Sequence, residues 1–481
     1  MLSKRIGILL GPLLFLLIYL LVPATFISPN AYKVLALAAW MVCWWVTEAA
    51  PFPVTALLPL VLFPLLGIMP ITQSAMPYAN PIIFLFMGGF FLALALEKHR
   101  LHERISLTLI RLTGTSGNGI ILGFMMATAF ISMWISNTAT TMMMLPMAIS
   151  VIKLIIPDQA EIKDGPRTPE RNFALSLMLA VGYAATLGGL ATIIGTPPNV
   201  VFIGLLHSLN SQKISFGEWM LMGVPVTLVL LVCNYLIVTR VLFPNNLKKI
   251  SGSDELIRKK LEELGPLRKE EKMVLVIFSI TSFFWIFQEA VNYWIGVAIL
   301  NDTNIAMTGG LLMFIIPTDW KKLTFLLHWE DTKNIAWGIL LLFGGGLCLA
   351  EGLNKTGTIQ FIGNWIVTQT HYSSWFILAL IVISVALSEL MSNVALVNIF
   401  VPVIFGIAQG LNINPVLLAL PVTLSASIGF MFPIATPPNA IVFSSGYIRM
   451  RDMIRAGFLL NITSIVIIWV ASLTLVKWIF G

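Results

Sequence analysis

Two short polar signatures each occur twice in this sequence. Ser136-Asn137-Thr138 has a counterpart in Ser392-Asn393-Val394, and Thr196-Pro197-Pro198-Asn199 has one in Thr436-Pro437-Pro438-Asn439, preceded by Gly195 and Ala435 respectively. All four lie inside long apolar runs. Two adjacent prolines break a helix, because neither has an N–H and each ring crowds the carbonyl one turn back. A helix that ends inside an apolar run exposes unpartnered carbonyls, which suit a cation, and one that begins there exposes N–H groups, which suit an anion. Taken singly, a Ser or Thr in an apolar helix packs or bonds a neighbouring carbonyl, and a Pro pair kinks its helix whatever the function. Unpartnered polar groups in hydrocarbon are tolerated mainly where they line a cavity or an ion site. The duplication of both signatures, in the same order, favours one central binding site over packing.

The surrounding composition sets the class. With 481 residues, 58% hydrophobic and 11% charged, and a mean hydropathy of +0.90, the chain carries more apolar surface than a soluble core can hide. It reads as an all-α polytopic membrane protein. The net charge of +7 sits in the short connections between apolar runs, as cytoplasmic loops require, which argues against a nucleic-acid partner. Cys43, Cys233 and Cys348 fall inside apolar runs without metal-type spacing and read as free buried thiols. Lys4 and Arg5 ahead of an apolar run resemble a secretory signal, but the spans that follow favour a retained first helix. No phosphate-binding Gly-rich loop that could hold ATP is present, and no combination of nucleophile, base and acid points to an enzyme. His99 and His102 share a face of an amphipathic stretch and read as solvated rather than as ligands.

The apolar runs divide the chain into a first transmembrane helix (1–30), a first repeat (31–244), a linker (245–272) and a second repeat (273–481). The linker is the one long hydrophilic insert and contains the helix-prone Glu255-Leu-Ile-Arg-Lys-Lys-Leu-Glu-Glu-Leu. Two runs, 117–152 and 373–410, carry Ser-Asn in the middle; two others, 172–206 and 414–446, carry the Pro pairs. Each arm on either side of Ser136 has about 18 residues, which fits either two full spans or a hairpin that enters and returns. Both choices leave the ends on one side, so the charge distribution fixes a cytoplasmic N-terminus: Lys98, Arg100, Arg104, Arg111, Lys248, Lys249, Arg449 and Arg451 fall inside, while Lys33, Lys213, Lys355 and Lys477 fall outside. The halves match further. Phe86-Met-Gly-Gly-Phe-Phe-Leu-Ala parallels Phe343-Gly-Gly-Gly-Leu-Cys-Leu-Ala, each followed by an amphipathic stretch, and Pro146 and Pro402 stand equally far beyond their Ser-Asn pairs. An odd number of spans per half turns the second copy upside down, the architecture of secondary transporters with a midplane site.

Together with Trp45-Val-Thr-Glu-Ala-Ala-Pro, these paired motifs resemble the divalent anion/sodium symporter family, the sodium-coupled di- and tricarboxylate carriers, over nearly the whole chain. The resemblance implies a homodimer in the cell's inner (plasma) membrane, with about 11 transmembrane helices and two re-entrant hairpins per protomer, inner (117–152) and outer (373–410), and an elevator-like transport domain that moves against a scaffold. It implies two or more co-transported Na+ ions. One would be bound by Ser132, Ser136, Asn137 and the Gly195 carbonyl, with Ser132 and Ser136 one helical turn apart on a shared face. The other would be bound by Ser388, the Met391 carbonyl, Asn393 and the Ala435 carbonyl. Hard oxygen ligands without a dedicated carboxylate suit a monovalent cation better than calcium. The di- or tricarboxylate anion would lie between them, against Ser136, Asn137, Thr138, Ser392, Asn393 and Val394 and the helix starts at Thr196-Pro197 and Thr436-Pro437. Val394 departs from the Ser-Asn-Thr pattern and leaves open whether the substrate is succinate-like, citrate-like or sulfate; a sodium-independent exchanger is the other reading. Glu389, beside Ser388, is either an ion-site helper or a structural acceptor, and Glu48 has the same two readings.

Overall fold

The computed structural model describes residues 2–21, 28, 30–156, 168–210, 212–368 and 373–481; residues 1, 22–27 and 29 of the expected first segment (1–30) are outside this description. The chain is helical nearly throughout. One exception to the all-α expectation is a small antiparallel ladder in a loop, Pro317–Asp319 against Thr324–Phe325. Among the described residues, seven helical segments are long and apolar enough to cross a bilayer: Lys4–Leu21, Ile71–Lys98, Phe216–Leu242, Lys269–Ile295, Trp337–Lys355, Asn393–Gly410 and Met450–Phe480. Of the shorter apolar helices, Gly117–Ser132, Asn137–Ile152, Ser374–Ser388 and Val416–Ala426 end or begin at polar breaks.

Those breaks fall at the duplicated signatures. The first hairpin has arms Gly117–Ser132 and Asn137–Ile152, and the second has arms Ser374–Ser388 and Asn393–Gly410. The first broken helix is Pro169–Gly188 followed by Pro197–Asn210, and the second is Val416–Ala426 followed by Pro437–Ser444. The 16-residue arms of the first hairpin rise about 24 Å each at 1.5 Å per residue. The linker holds the helix Ser253–Leu264 between two chain reversals at Gly252 and Gly265, both with φ in the left-handed region. The amphipathic stretches form helices of their own, Leu101–Leu112 and Thr358–Val367, set off from the preceding spans by Arg100 (φ 56°) and Gly357 (φ 75°). Phe216–Leu236 and Met450–Ala471, the matching long helices of the two halves, both run on into a π-helical turn.

The pieces interlock. Each hairpin packs both arms on the first half of its own broken helix, and its second arm also packs on the second half of the other broken helix. Tight contacts carry this: a Cβ on Gly188 would run into the Ala129 backbone of the first hairpin, and one on Gly363 of the second amphipathic helix would run into Gly406 of the second hairpin. Apolar side chains form one large cluster through both hairpins and both broken helices, and a smaller one built on Val34, Leu37, Met41, Trp45, Ala56 and Phe63 with Leu349 and Leu353. Trp337–Lys355 joins the two, since its Phe343 and Leu347 belong to the first and its Leu342 and Leu349 to the second. The tip of the second hairpin lies on the seam between the clusters, with Met391 and Val394 packed against both and Ala395 in the smaller.

Candidate functional site

In the first half the structure gathers four oxygen-bearing groups from three segments. The Asn137 side-chain amide stands 2.7 Å from Ser132 Oγ, 3.1 Å from the Ala185 carbonyl and 3.2 Å from the Gly195 carbonyl. Ser132 Oγ itself donates to the Ala185 carbonyl at 2.7 Å. With its nitrogen turned to this cluster the amide shares its two hydrogens among these oxygens; with its oxygen turned there it accepts from Ser132 Oγ at 2.7 Å and joins the two carbonyls in an oxygen-rich cluster that suits a cation. The space is tight. A Cβ on Gly189 would meet Asn137 Oδ1 at 2.6 Å, and one on Gly195 would meet the Gly189 carbonyl at 2.6 Å, so both positions require glycine for close backbone approach.

One expectation about this half is corrected. Ser132 and Ser136 do not share a helix face, because the first arm ends at Ser132 and the chain reverses before Asn137. Ser136 instead caps the second arm, its Oγ accepting from the Ala139 N–H at 3.3 Å. Thr138, one residue into that arm, is half-buried.

The second half is built differently at the same positions. Ser388 Oγ donates to the Ile428 carbonyl at 2.7 Å and to the Val385 carbonyl at 2.9 Å, but Asn393 Oδ1 is buried without a hydrogen-bond partner. Met391 and Ser392 are half-buried, and Ser392 makes no side-chain cap. Ala435 is buried, 6% exposed, and a Cβ on Gly429 would stand 3.0 Å from its methyl group. Glu389 is only 5% exposed. Its Oε1 accepts from the Phe430 N–H (2.8 Å), the Met431 N–H (2.9 Å) and Asn461 Nδ2 (2.7 Å), and its Oε2 accepts from the Phe432 N–H (3.2 Å). This carboxylate is thus a structural acceptor that secures the second helix break through charge-assisted bonds. Its positional counterpart in the first half is Met133, whose carbonyl accepts from Thr192 Oγ1 at 2.5 Å. Glu48 resolves otherwise: it ends its helix in the left-handed region and pairs with Lys4 at 3.1 Å, both half exposed.

The broken-helix starts also need correction as anion sites. Residues 197 and 198, like 437 and 438, are prolines with no N–H to offer, and the next N–H is already engaged: Asn199 N donates to the Thr196 carbonyl (3.2 Å) and Asn439 N to Thr436 Oγ1 (3.4 Å). Thr196 and Thr436 are buried and contribute hydroxyls, while Pro197 is half-buried and Pro437 exposed. The second arms of the hairpins instead begin at Asn137 and Asn393, where first-turn N–H groups lack helical partners. Asn199 and Asn439, not assigned a role from the sequence, each clasp two carbonyls of their own break; their recurrence in both signatures was the available signal. His102 is buried, with Nδ1 on the Leu96 carbonyl at 2.8 Å, and is not solvated as its stretch suggested. Cys43 and Cys348 are buried free thiols and Cys233 is partly exposed.

Residues 3–481 match the family model of the sodium:sulfate symporter transmembrane region. The chain is 40% identical over 484 residues to the sodium-dependent dicarboxylate transporter SdcS of Staphylococcus saprophyticus, covering 100% of this chain and 92% of that one. It is 41% identical over 473 residues to SdcS of Staphylococcus aureus strain NCTC 8325, covering 97% and 90%. Two solved structures share the fold at low identity: the YdaH transporter of Alcanivorax borkumensis (TM-score 0.56, 13% identity, 85% of this chain and 86% of that one) and MtrF of Neisseria gonorrhoeae (TM-score 0.55, 12%, 85% and 84%). Full-length family agreement, at this identity and with the duplicated signatures at the helix breaks, means that the chain belongs to the divalent anion/sodium symporter family.

Proposed function

We propose that this protein is a sodium-coupled symporter that imports dicarboxylates such as succinate, malate or fumarate across the plasma membrane. The observation that carries this reading is the convergence of Ser132 Oγ, the Asn137 amide and the Ala185 and Gly195 carbonyls at the first break, a set of hard oxygen groups suited to sodium. With its oxygen on the ion, the Asn137 amide has its nitrogen free to face a carboxylate. Sodium and substrate are coupled through that one side chain. The second ion site uses Ser388, the Met391 carbonyl, Asn393 and the Ala435 carbonyl, and the unpartnered Asn393 Oδ1 is the ligand awaiting it. The dianion lies between the two hairpin tips, held by Asn137, Thr138, Asn393, the first N–H groups of the second arms and the Thr196 and Thr436 hydroxyls, with Ser136, Ser392, Val394, Pro197 and Pro437 as walls.

The same reading makes both Ser-Asn runs re-entrant hairpins, one from each side, within a protomer of about 11 spans whose N-terminus is cytoplasmic. It makes the hairpins and broken helices the moving body of an elevator, sliding on a scaffold within a homodimer.

Labelled succinate, citrate and sulfate offered to proteoliposomes with and without an inward sodium gradient test the proposal. Succinate uptake that requires sodium and responds to membrane potential supports electrogenic symport. Uptake unchanged when potassium or choline replaces sodium would establish an exchanger, and sulfate uptake indifferent to excess succinate would establish a sulfate carrier.

A further inference from the structure

Asn199 and Asn439 stand at the same place in the two breaks, and both are fully buried. Asn199 Nδ2 donates to the carbonyls of Gly189 (3.1 Å) and Thr192 (2.8 Å). Asn439 Nδ2 donates to those of Gly429 (2.9 Å) and Phe432 (3.1 Å). Each amide therefore reaches from the start of the second half-helix back across the connection, Asn199 as far as the Gly189 cap of the first half-helix. A helix end leaves carbonyls without partners, and such carbonyls attract cations. The two amides engage four carbonyl oxygens in and beside the breaks. Near the first cluster that leaves the Ala185 and Gly195 carbonyls turned to Asn137. Gly189, whose carbonyl Asn199 holds, is also the residue on which a Cβ would meet the Asn137 amide at 2.6 Å and the Gly195 carbonyl at 3.1 Å. Fixing Gly189 fixes the wall of the oxygen shell.

We propose that Asn199 and Asn439 are positioning residues that set cation selectivity: by engaging the break carbonyls they keep those oxygens from joining the shell and hold the shell at one size. Selection among hard cations rests on cavity size, ligand number and flexibility, and the clasp controls all three. The argument rests on the sodium reading above. Without the clasp, the break carbonyls compete as ligands and the loop adapts to ions of other radii.

The test uses the full chain in proteoliposomes, with succinate uptake activated by NaCl, LiCl or KCl at constant ionic strength made up with choline chloride. Asn199→Ala and Asn439→Ala are each expected to raise the sodium concentration for half-maximal uptake by about fivefold, the loss of roughly one neutral hydrogen bond. They are also expected to bring lithium and sodium activation to within about twofold of each other, while the KM for succinate at saturating sodium stays within about twofold of the parent. Asn199→Ser and Asn439→Ser, which keep a donor, should recover part of the discrimination. Folded Ala variants with unchanged sodium activation and an unchanged lithium-to-sodium ratio overturn the proposal. So does a failure of every variant, the Ser pair included, to give a folded monodisperse protein, because the clasp is then a folding element alone. Ser132→Ala and Ser388→Ala separate the two levels. If neither shifts sodium activation, the sodium-site reading itself falls; if they shift it and the Asn variants do not, only the selectivity role falls.

Discussion

The two halves of the site share a plan and differ in what completes it. In the first half, Asn137 is drawn into contact with Ser132, Ala185 and Gly195, and two glycines let the backbones meet. In the second, Ala435 replaces one glycine, Asn393 Oδ1 has no partner, and a carboxylate absent from the first half, Glu389, secures the break through its N–H groups. The first half-site is organised around a side-chain amide. The second is organised around a buried charge placed behind it. The first hairpin tip also packs entirely within the large apolar cluster, whereas the second lies on the seam between clusters. A repeat therefore fixes where a site can form, and the details of each copy decide which groups are satisfied before an ion arrives.

The largest effect should come from the two asparagines. Asn137→Ala and Asn393→Ala are both expected to abolish sodium-driven uptake, since each removes a charge-assisted contact of about 1.5 to 3 kcal/mol, roughly 10- to 150-fold in binding. Their effects on stability should oppose each other. Asn137→Ala breaks a bonded cluster and should lower the melting temperature in sodium-free buffer. Asn393→Ala removes a buried acceptor that has no donor, and should leave that temperature unchanged or raise it. Melting curves of the purified proteins in choline chloride check this, and equal destabilisation by both would mean the half-sites are alike.

A second contrast lies at the residue before each Thr-Pro-Pro. Gly195→Ala forces a methyl group against the Gly189 backbone and should cost about 1 to 3 kcal/mol, with sodium activation impaired. Ala435→Gly only opens space, and its uptake should stay within about threefold of the parent. Comparable losses from both would show that Gly195 is not uniquely constrained.

Glu389 offers a third test. Glu389→Gln keeps the size but turns an amide N–H toward one of the break's donors, costing about 1 to 3 kcal/mol, and should weaken sodium activation without changing which anions compete. Met133→Leu at the matching position should be close to silent. Uptake by Glu389→Gln that matches the parent at every sodium concentration would remove the carboxylate from the account.

The smallest effect concerns the substrate wall. Thr138→Val should weaken succinate by about 0.5 to 1.5 kcal/mol, two- to tenfold in apparent affinity. Val394→Thr should transport, with altered preference among succinate, citrate and sulfate, because the added hydroxyl can reach water or a carboxylate at a polar wall. A silent Thr138→Val with an inactive but folded Val394→Thr would place the carboxylate-binding wall elsewhere.

Much of this was legible in the chain itself. Apolar run length anticipated the extent of both hairpins, 117–152 and 373–410, nearly to the residue, because a stretch with few polar groups has one way to satisfy its backbone in hydrocarbon. The Pro pairs and Ser-Asn turns marked every break, since a missing N–H or a capping hydroxyl acts locally. Their duplication singled out the segments that the structure brings together at the two breaks. What local sequence could not decide is which orphaned groups at those breaks find partners, because the partners come from distant segments. Ser132 and Ser136 look like neighbours on a helix and are parted by a chain reversal. Asn137 meets Ala185 and Gly195 only because the hairpin packs on the broken helix. The ambiguity of Glu389 ends only when the N–H groups at 430–432 and the amide of Asn461 are brought to it. The sequence determined where the helices must stop, since that depends on each residue's own backbone chemistry; the tertiary structure alone decided which of the exposed carbonyls and N–H groups were bonded and which were left for an ion, since that depends on the proximity of segments far apart in the chain.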